Sequence, residues 1–207
     1  MNLPPDHLPP PHPLPPIGFE SRILPTIATP GPFYRLSSVR HPSALHFDRS
    51  GRGRFDGASQ TYGILYTGAD EYAAFIETFG RLHGQIAVEE SALRGRSLFR
   101  IVSNRSLNFV DLTGNALVKI GADARLTTGS YAIARAWAQA IFDHPQKVDG
   151  LKNFSRHDNT RVCFGIFDRS KDALSEQNIG NLLIISLSYW QKSSRTMTMD
   201  SFRLFLR

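Results

Sequence analysis

The chain has 207 residues, 41% hydrophobic and 20% charged, which suits one globular domain with a sizeable core. Its net charge of +6, from 24 Lys and Arg against 18 Asp and Glu, favours an acidic partner: nucleic acid, a phosphorylated small molecule or an acidic protein. A single cysteine, Cys163, excludes an intrachain disulfide and a cysteine metal cluster, and no apolar run is long enough to span a bilayer.

The N-terminus lacks the charged and then apolar pattern of a signal peptide. With the lone cysteine, this makes the cytoplasm the expected location. The arginines are scattered, with no basic block of five or more. Helix-turn-helix, zinc-finger and RNP-type patterns are absent, so no direct nucleic-acid binding is expected.

Residues 1–32 hold 11 of the 13 prolines. Such a segment cannot build a helix or a central strand. It reads as a flexible or polyproline tail, or as an arm across the domain anchored by Ile17, Phe19, Ile23 and Leu24. Residues 33–36, FYRL, read as the first strand. Arg35 is unusual there, because a guanidinium in a sheet calls for an anion or a wet cleft; a surface ion pair is the simpler explanation. Residues 41–57 are rich in Gly, Ser, Asp and Arg and read as a loop. Arg49, Arg52 and Arg54 could wrap phosphates, although the GxxxxGK[ST] pattern is missing, and a solvated basic loop fits the composition equally.

Residues 62–67, YGILYT, have strand composition. Asp70 is a candidate N-cap. Tyr72, Phe75, Ile76 and Phe79 then recur at i, i+3, i+4 and i+7, the stripe of an amphipathic helix. Glu77 lies beside that stripe, and on spacing alone a water-facing carboxylate is the commoner outcome. Residues 97–103 and 107–112 read as strands, and residues 115–122 as a short helix. Residues 128–142 read as a helix with Ile133, Trp137, Ala140 and Ile141 on one face, closed by His144-Pro145. Residues 149–159 read as polar and turn-like, residues 161–167 as a strand, and residues 182–187, LLIISL, as another strand. The stretch 188–207 has poor patterning. The whole predicts a compact single α+β domain with a small bent mixed sheet.

Several chemistries lack their signatures. HExxH is absent and the seven histidines are scattered, so no metal site is expected. GxSxG and GxGxxG are absent too. Cys163 lies in an apolar strand and reads as a core thiol. What remains is Arg35, Arg54, Tyr66, Glu77 and the polar turn around Ser155. Such a set suits a dinucleotide. Arginines grip a pyrophosphate, a tyrosine stacks on a nicotinamide ring, and a carboxylate binds ribose and stabilises charge at the anomeric carbon.

The chain resembles the RES-domain family of bacterial toxins, named for an Arg, a Glu and a Ser. Five pieces carry the likeness in order: Phe33-Tyr34-Arg35, Gly53-Arg54-Phe55-Asp56, Tyr62-Gly63-Ile64-Leu65-Tyr66, Ala74-Phe75-Ile76-Glu77-Thr78, and Asp149-Gly150-Leu151 running into Phe154-Ser155-Arg156. No piece is specific alone; the series is. The resemblance implies a fold similar to ADP-ribosyltransferase toxins and NAD as the substrate. It implies that Arg35, Glu77 and Ser155 are the name-giving catalytic residues, with Arg54 and Tyr66 also in the NAD pocket. In this reading Arg35 holds phosphates or the nicotinamide ribose, Tyr66 stacks on nicotinamide, Glu77 stabilises the oxocarbenium-like transition state and Ser155 positions a loop. Arg54 adds anion binding.

The expected product is the toxin of a type II toxin–antitoxin pair, an NAD glycohydrolase or phosphorylase or an ADP-ribosyltransferase. Its expected partners are a cognate Xre-type antitoxin and, for transfer, a protein acceptor, with no membrane. The alternative is a catalytically degenerate member that only binds a partner. The implied organisation is a proline-rich arm at 1–32, a catalytic domain at 33–183 and a tail at 184–207 that departs from the family pattern. A one-nucleotide frame slip would explain that tail, and the DNA sequence of the gene decides it.

Overall fold

In three inner strands of this protein, neighbouring apolar residues face opposite sides of a sheet and feed two different cores. The computed structural model describes residues 12–57, 59–80 and 88–190. The strands are β1 (Thr26–Thr29), β2 (Phe33–Ser38), β3 (Ile64–Gly68), β4 (Arg96–Ser103), β5 (Leu107–Asp111), β6 (Gly150–Phe154), β7 (Val162–Phe167) and β8 (Leu174–Asn181). They form one sheet in the order β1-β5-β6-β7-β3-β2-β4-β8. The β5–β6 pair is parallel; the other pairs are antiparallel. The expected α+β class with a mixed sheet is therefore what the chain adopts.

Ile64, Val110 and Phe167 pack on one face, with Trp137 and Ile141. Their neighbours Leu65, Phe109 and Ile166 pack on the other, with Phe33 and Ile101. The first core is covered by α5 (Tyr131–Asp143), which buries Ala134, Trp137, Ala138 and Ile141 at helical spacing. A separate turn of helix, α4 (Arg125–Thr128), precedes it. The helix read at 128–142 thus starts at Tyr131, after a break at Gly129 and Ser130. It ends at His144, whose extended ψ of 140° is what a residue before proline adopts.

A third cluster joins α1 (Glu71–Phe79), α2 (Glu90–Arg94) and α6 (Leu182–Trp190). The predicted stripe of α1 holds: Tyr72, Phe75, Ile76 and Phe79 are buried. Asp70 is its N-cap, accepting from the Ala73 N–H at 2.6 Å. The helix starts directly against the end of β3. A Cβ on Gly68 would lie 2.6 Å from the Ala74 nitrogen, so only glycine fits. The short helix α3 (Ala116–Ile120) lies within the expected 115–122.

Three of these expectations need correction, and one strand was not expected. Residues 182–187 are helical, because Leu182, Leu183 and Ser186 form the buried face and Ile184 and Leu187 point out. The turn expected at 149–159 begins with β6, whose Lys152 bonds Asp111 across to β5 at 3.1 Å; the paired charge hides a strand among polar residues. The first strand is β1, not 33–36. The polar edge strand β8 had no expectation at all.

Residues 12–32 run along the domain. Phe19 and Leu24 are buried, whereas Ile17 and Ile23 are exposed. Trp137 Nε1 donates to the Pro13 carbonyl at 2.9 Å, and Gln146 Oε1 accepts from the Leu24 N–H at 2.7 Å. The expectations for residues 1–11 and 191–207 lie outside the described residues.

Candidate active site

Strands β2 and β3 are neighbours but meet at one position, Tyr34 opposite Gly68. β2 pairs along its full length with β4, and β3 does so with β7. The two central strands therefore splay, and a cavity of about 300 Å³ opens along the gap. Arg35, Arg54, Tyr66 and Glu77 all line it.

Arg35 stands on β2 and bridges the splay. Its Nη1 donates to the Tyr66 carbonyl at 3.2 Å, an acceptor the diverging ladder leaves over. Its buried Nε has no partner among the described residues. Burial pushes its pKa down, with Asp48 pulling the other way and Arg96 adding to the fall. It still carries its charge at neutral pH. The surface ion pair that the sequence allowed is not there: among the described residues Arg35 has no salt bridge.

Arg54 sits on a tightly pinned turn. Asp56, fully buried, accepts from the Gly53 N–H at 2.8 Å and from the Tyr66 hydroxyl at 2.8 Å. That hydroxyl accepts from the Phe55 N–H at 2.9 Å. The Tyr62 hydroxyl donates to the Phe55 carbonyl at 2.8 Å, and Arg135 Nε donates to the Gly53 carbonyl at 2.9 Å. A Cβ on Gly53 would lie 2.3 Å from Asp56 Oδ1; the turn closes only around glycine. Arg54 itself donates to the Gly129 carbonyl at 2.8 Å and lies 4.4 Å over the Tyr131 ring. Burial holds its pKa below the usual range, Tyr131 opposing and the charge of Arg156 adding to the fall. Of the loop arginines, Arg54 alone reaches the cavity. Arg49 pairs with Asp168 and Arg52 is exposed.

Tyr66 serves the site twice. It lines the cavity while packing on the first core, and its hydroxyl ties β3 to the Arg54 turn. Burial, then Asp56, raises the phenol well above its usual 10, so this tie persists at any working pH.

Glu77 is half-buried, and the water-facing alternative does not hold. Ser155 Oγ donates to Glu77 Oε1 at 2.5 Å. The same oxygen accepts from the backbone N–H groups of His157 at 3.1 Å and Asp158 at 3.3 Å. With those donors facing its lone pairs, the hydroxyl proton is left for Glu77. Ser155 is buried and does not line the cavity; it holds a residue that does.

Cys163 also borders the cavity. Burial, then Glu77 and Asp70, pushes its thiol far up. It stays protonated and is a poor nucleophile. Among the described residues no group of three or more His, Cys, Asp or Glu could hold a metal.

Tyr131, Arg156, His46 and Asp48 also line the cavity, and the sequence reading assigned none of them a place there. Arg156 belongs to the last of the five family-like pieces, with no role implied there. Tyr131 gave no signal, because its place depends on where α5 begins.

A family model described as the RES domain matches residues 31–189. Among solved structures, the chain is similar to one in the crystal structure of the M. tuberculosis MbcT–MbcA toxin–antitoxin complex. The TM-score is 0.58 at 17% identity, covering 79% of this chain and 90% of that one, which is a likeness of fold. No curated protein matches the chain.

Proposed function

The chain belongs to the RES-domain family, and from that premise we propose that it is the toxin of a toxin–antitoxin pair and cleaves the nicotinamide–ribose bond of NAD. The observation that supports this most is a carboxylate, Glu77, braced by Ser155 in the same cavity as Arg35 and Arg54. Phosphate binding calls for the arginines, and an oxocarbenium-like transition state calls for the acid.

The reaction runs as follows. The bond between the ribose anomeric carbon and the nicotinamide nitrogen breaks, and its electron pair leaves with nicotinamide, neutralising the ring nitrogen. Positive charge grows on the ribose, and the Glu77 carboxylate stabilises it. An acceptor oxygen then attacks the anomeric carbon; water or a hydroxyl loses its proton to solvent, whereas an anionic phosphate oxygen has none to lose. Arg35 holds the nicotinamide ribose, Arg54 binds phosphate, and the Tyr66 ring packs on nicotinamide. A cavity of about 300 Å³ is at the small end for ligand pockets. It takes the reacting half of NAD, with the adenosine end toward the mouth.

The partner is an Xre-type antitoxin that covers the mouth. This rests on the family and on the fold shared with a chain solved in a toxin–antitoxin complex. No described helix is long and apolar enough to cross a membrane. The toxin reading itself assigns the reaction to the cytoplasm.

The test is incubation of purified protein with NAD, followed by mass spectrometry of the products with and without phosphate and lysate. Nicotinamide release is expected. Free ADP-ribose, its phosphate ester or a modified protein then identifies the acceptor. Unchanged NAD, together with normal growth on expression, would leave the partner-binding alternative.

A further inference from the structure

Arg156 lies at the cavity with no assigned work. It is exposed, lines the cavity, and makes no salt bridge among the described residues. Its backbone is nevertheless held in place. Ser155, the preceding residue, is buried and bonded to Glu77, and its oxygen pins the next two N–H groups of the loop.

The charges around it do not cancel. Among the described residues none of Arg35, Arg54 and Arg156 has a salt bridge, although all three line one cavity. The lining holds two carboxylates against these three arginines: Glu77, which accepts from Ser155, and Asp48, which accepts from the Ser50 N–H and hydroxyl at 2.8 and 3.0 Å and acts on Arg35, so Arg54 and Arg156 share an excess of positive charge. Arg156 lies close enough to Arg54 for its charge to disfavour the Arg54 cation. Like charges brought together on a fixed frame are relieved by an anion carrying more than one charge.

Resting on the reading above, we propose that Arg156 joins Arg54 in gripping the diphosphate of the dinucleotide, so that the site selects diphosphate-bridged nucleotides over mononucleotides. Two planar forks match the two phosphoryl groups of a diphosphate. A mononucleotide offers one, and leaves one arginine unused.

The test compares wild type with Arg156→Ala and with Arg156→Gln, which retains more of the stem. Calorimetry with ADP-ribose reads the grip without turnover. The dissociation constant is expected to rise about tenfold in both variants, with Tm unchanged. The KM for NAD rises by a similar factor while kcat stays within about threefold. Cleavage of nicotinamide mononucleotide changes little, so the preference for NAD narrows. Equal ADP-ribose affinity in wild type and variants overturns the grip, and so does a wild type that binds no ADP-ribose. A wild type that binds ADP-ribose but releases no nicotinamide from NAD refutes the cleavage reaction instead, and the grip is then decided on the dissociation constants alone.

Discussion

Ser155 and Glu77 are 78 residues apart in sequence and their side-chain oxygens are 2.5 Å apart. The serine proton is directed at the acid because its oxygen already faces two backbone donors. Ser155→Ala removes that proton and keeps the backbone. A fall in kcat of about tenfold to a hundredfold is expected, with KM for NAD little changed, since the serine touches the acid and not the substrate. Steady-state kinetics decide it. A shift confined to KM would make Ser155 a loop anchor only.

Tyr66 allows stacking and positioning to be separated. Phenylalanine keeps the ring and removes a hydroxyl that serves Asp56 and the Phe55 N–H. Tyr66→Phe should cost about 1–3 kcal/mol in denaturant unfolding and raise the KM for NAD several-fold by loosening the Arg54 turn. An unchanged KM would assign Tyr66 to stacking alone.

Asp149 gives the fold a pH signature. Burial raises its pKa, but this is outweighed by donors from Arg105, the Asn108 N–H and Ser170, and the net shift is downward. Arg105 grips both oxygens, at 2.8 and 2.6 Å. A lowered folded pKa contributes stability that is present above the unfolded value of about 3.9 and lost as pH falls through the folded one. Asp149→Asn should therefore cost about 2–4 kcal/mol at neutral pH. The gap to wild type should hold to about pH 4 and close below it. Urea titrations across pH read this, and a gap independent of pH would contradict it.

The proline-rich segment has a direct test. Phe19 is buried with its ring edge-on to Trp137, centroids 5.3 Å apart. Phe19→Ala should cost about 3 kcal/mol by thermal or chemical unfolding. A flexible tail would show no loss.

The sequence made some elements plain and concealed others for identifiable reasons. The stripe of α1 was readable because a helix packed on one side repeats its apolar residues. Arg35 was readable as an anomaly, since a charged residue in a strand asks for a cleft, and β2 does border one. β6 was hidden by Lys152 and Asn153, polar residues that a strand tolerates when one pairs with Asp111 and both have solvent or a cavity beside them. α6 was hidden because LLIISL is apolar on most sides, and five apolar residues in a run of six fit either period. The edge strand β8 was hidden because its residues are largely exposed. Of the site, the residues came through the family pattern, but their convergence did not. It depends on β2 and β3 parting after one shared position, which no local pattern encodes.

The most direct test of the account is Glu77→Gln, which removes the charge and keeps the shape. Nicotinamide release from NAD and affinity for ADP-ribose are measured on the same preparation. Release is expected to fall by about 10²–10³-fold while ADP-ribose affinity stays near that of the wild type. Release at the wild-type rate by the glutamine variant would contradict it.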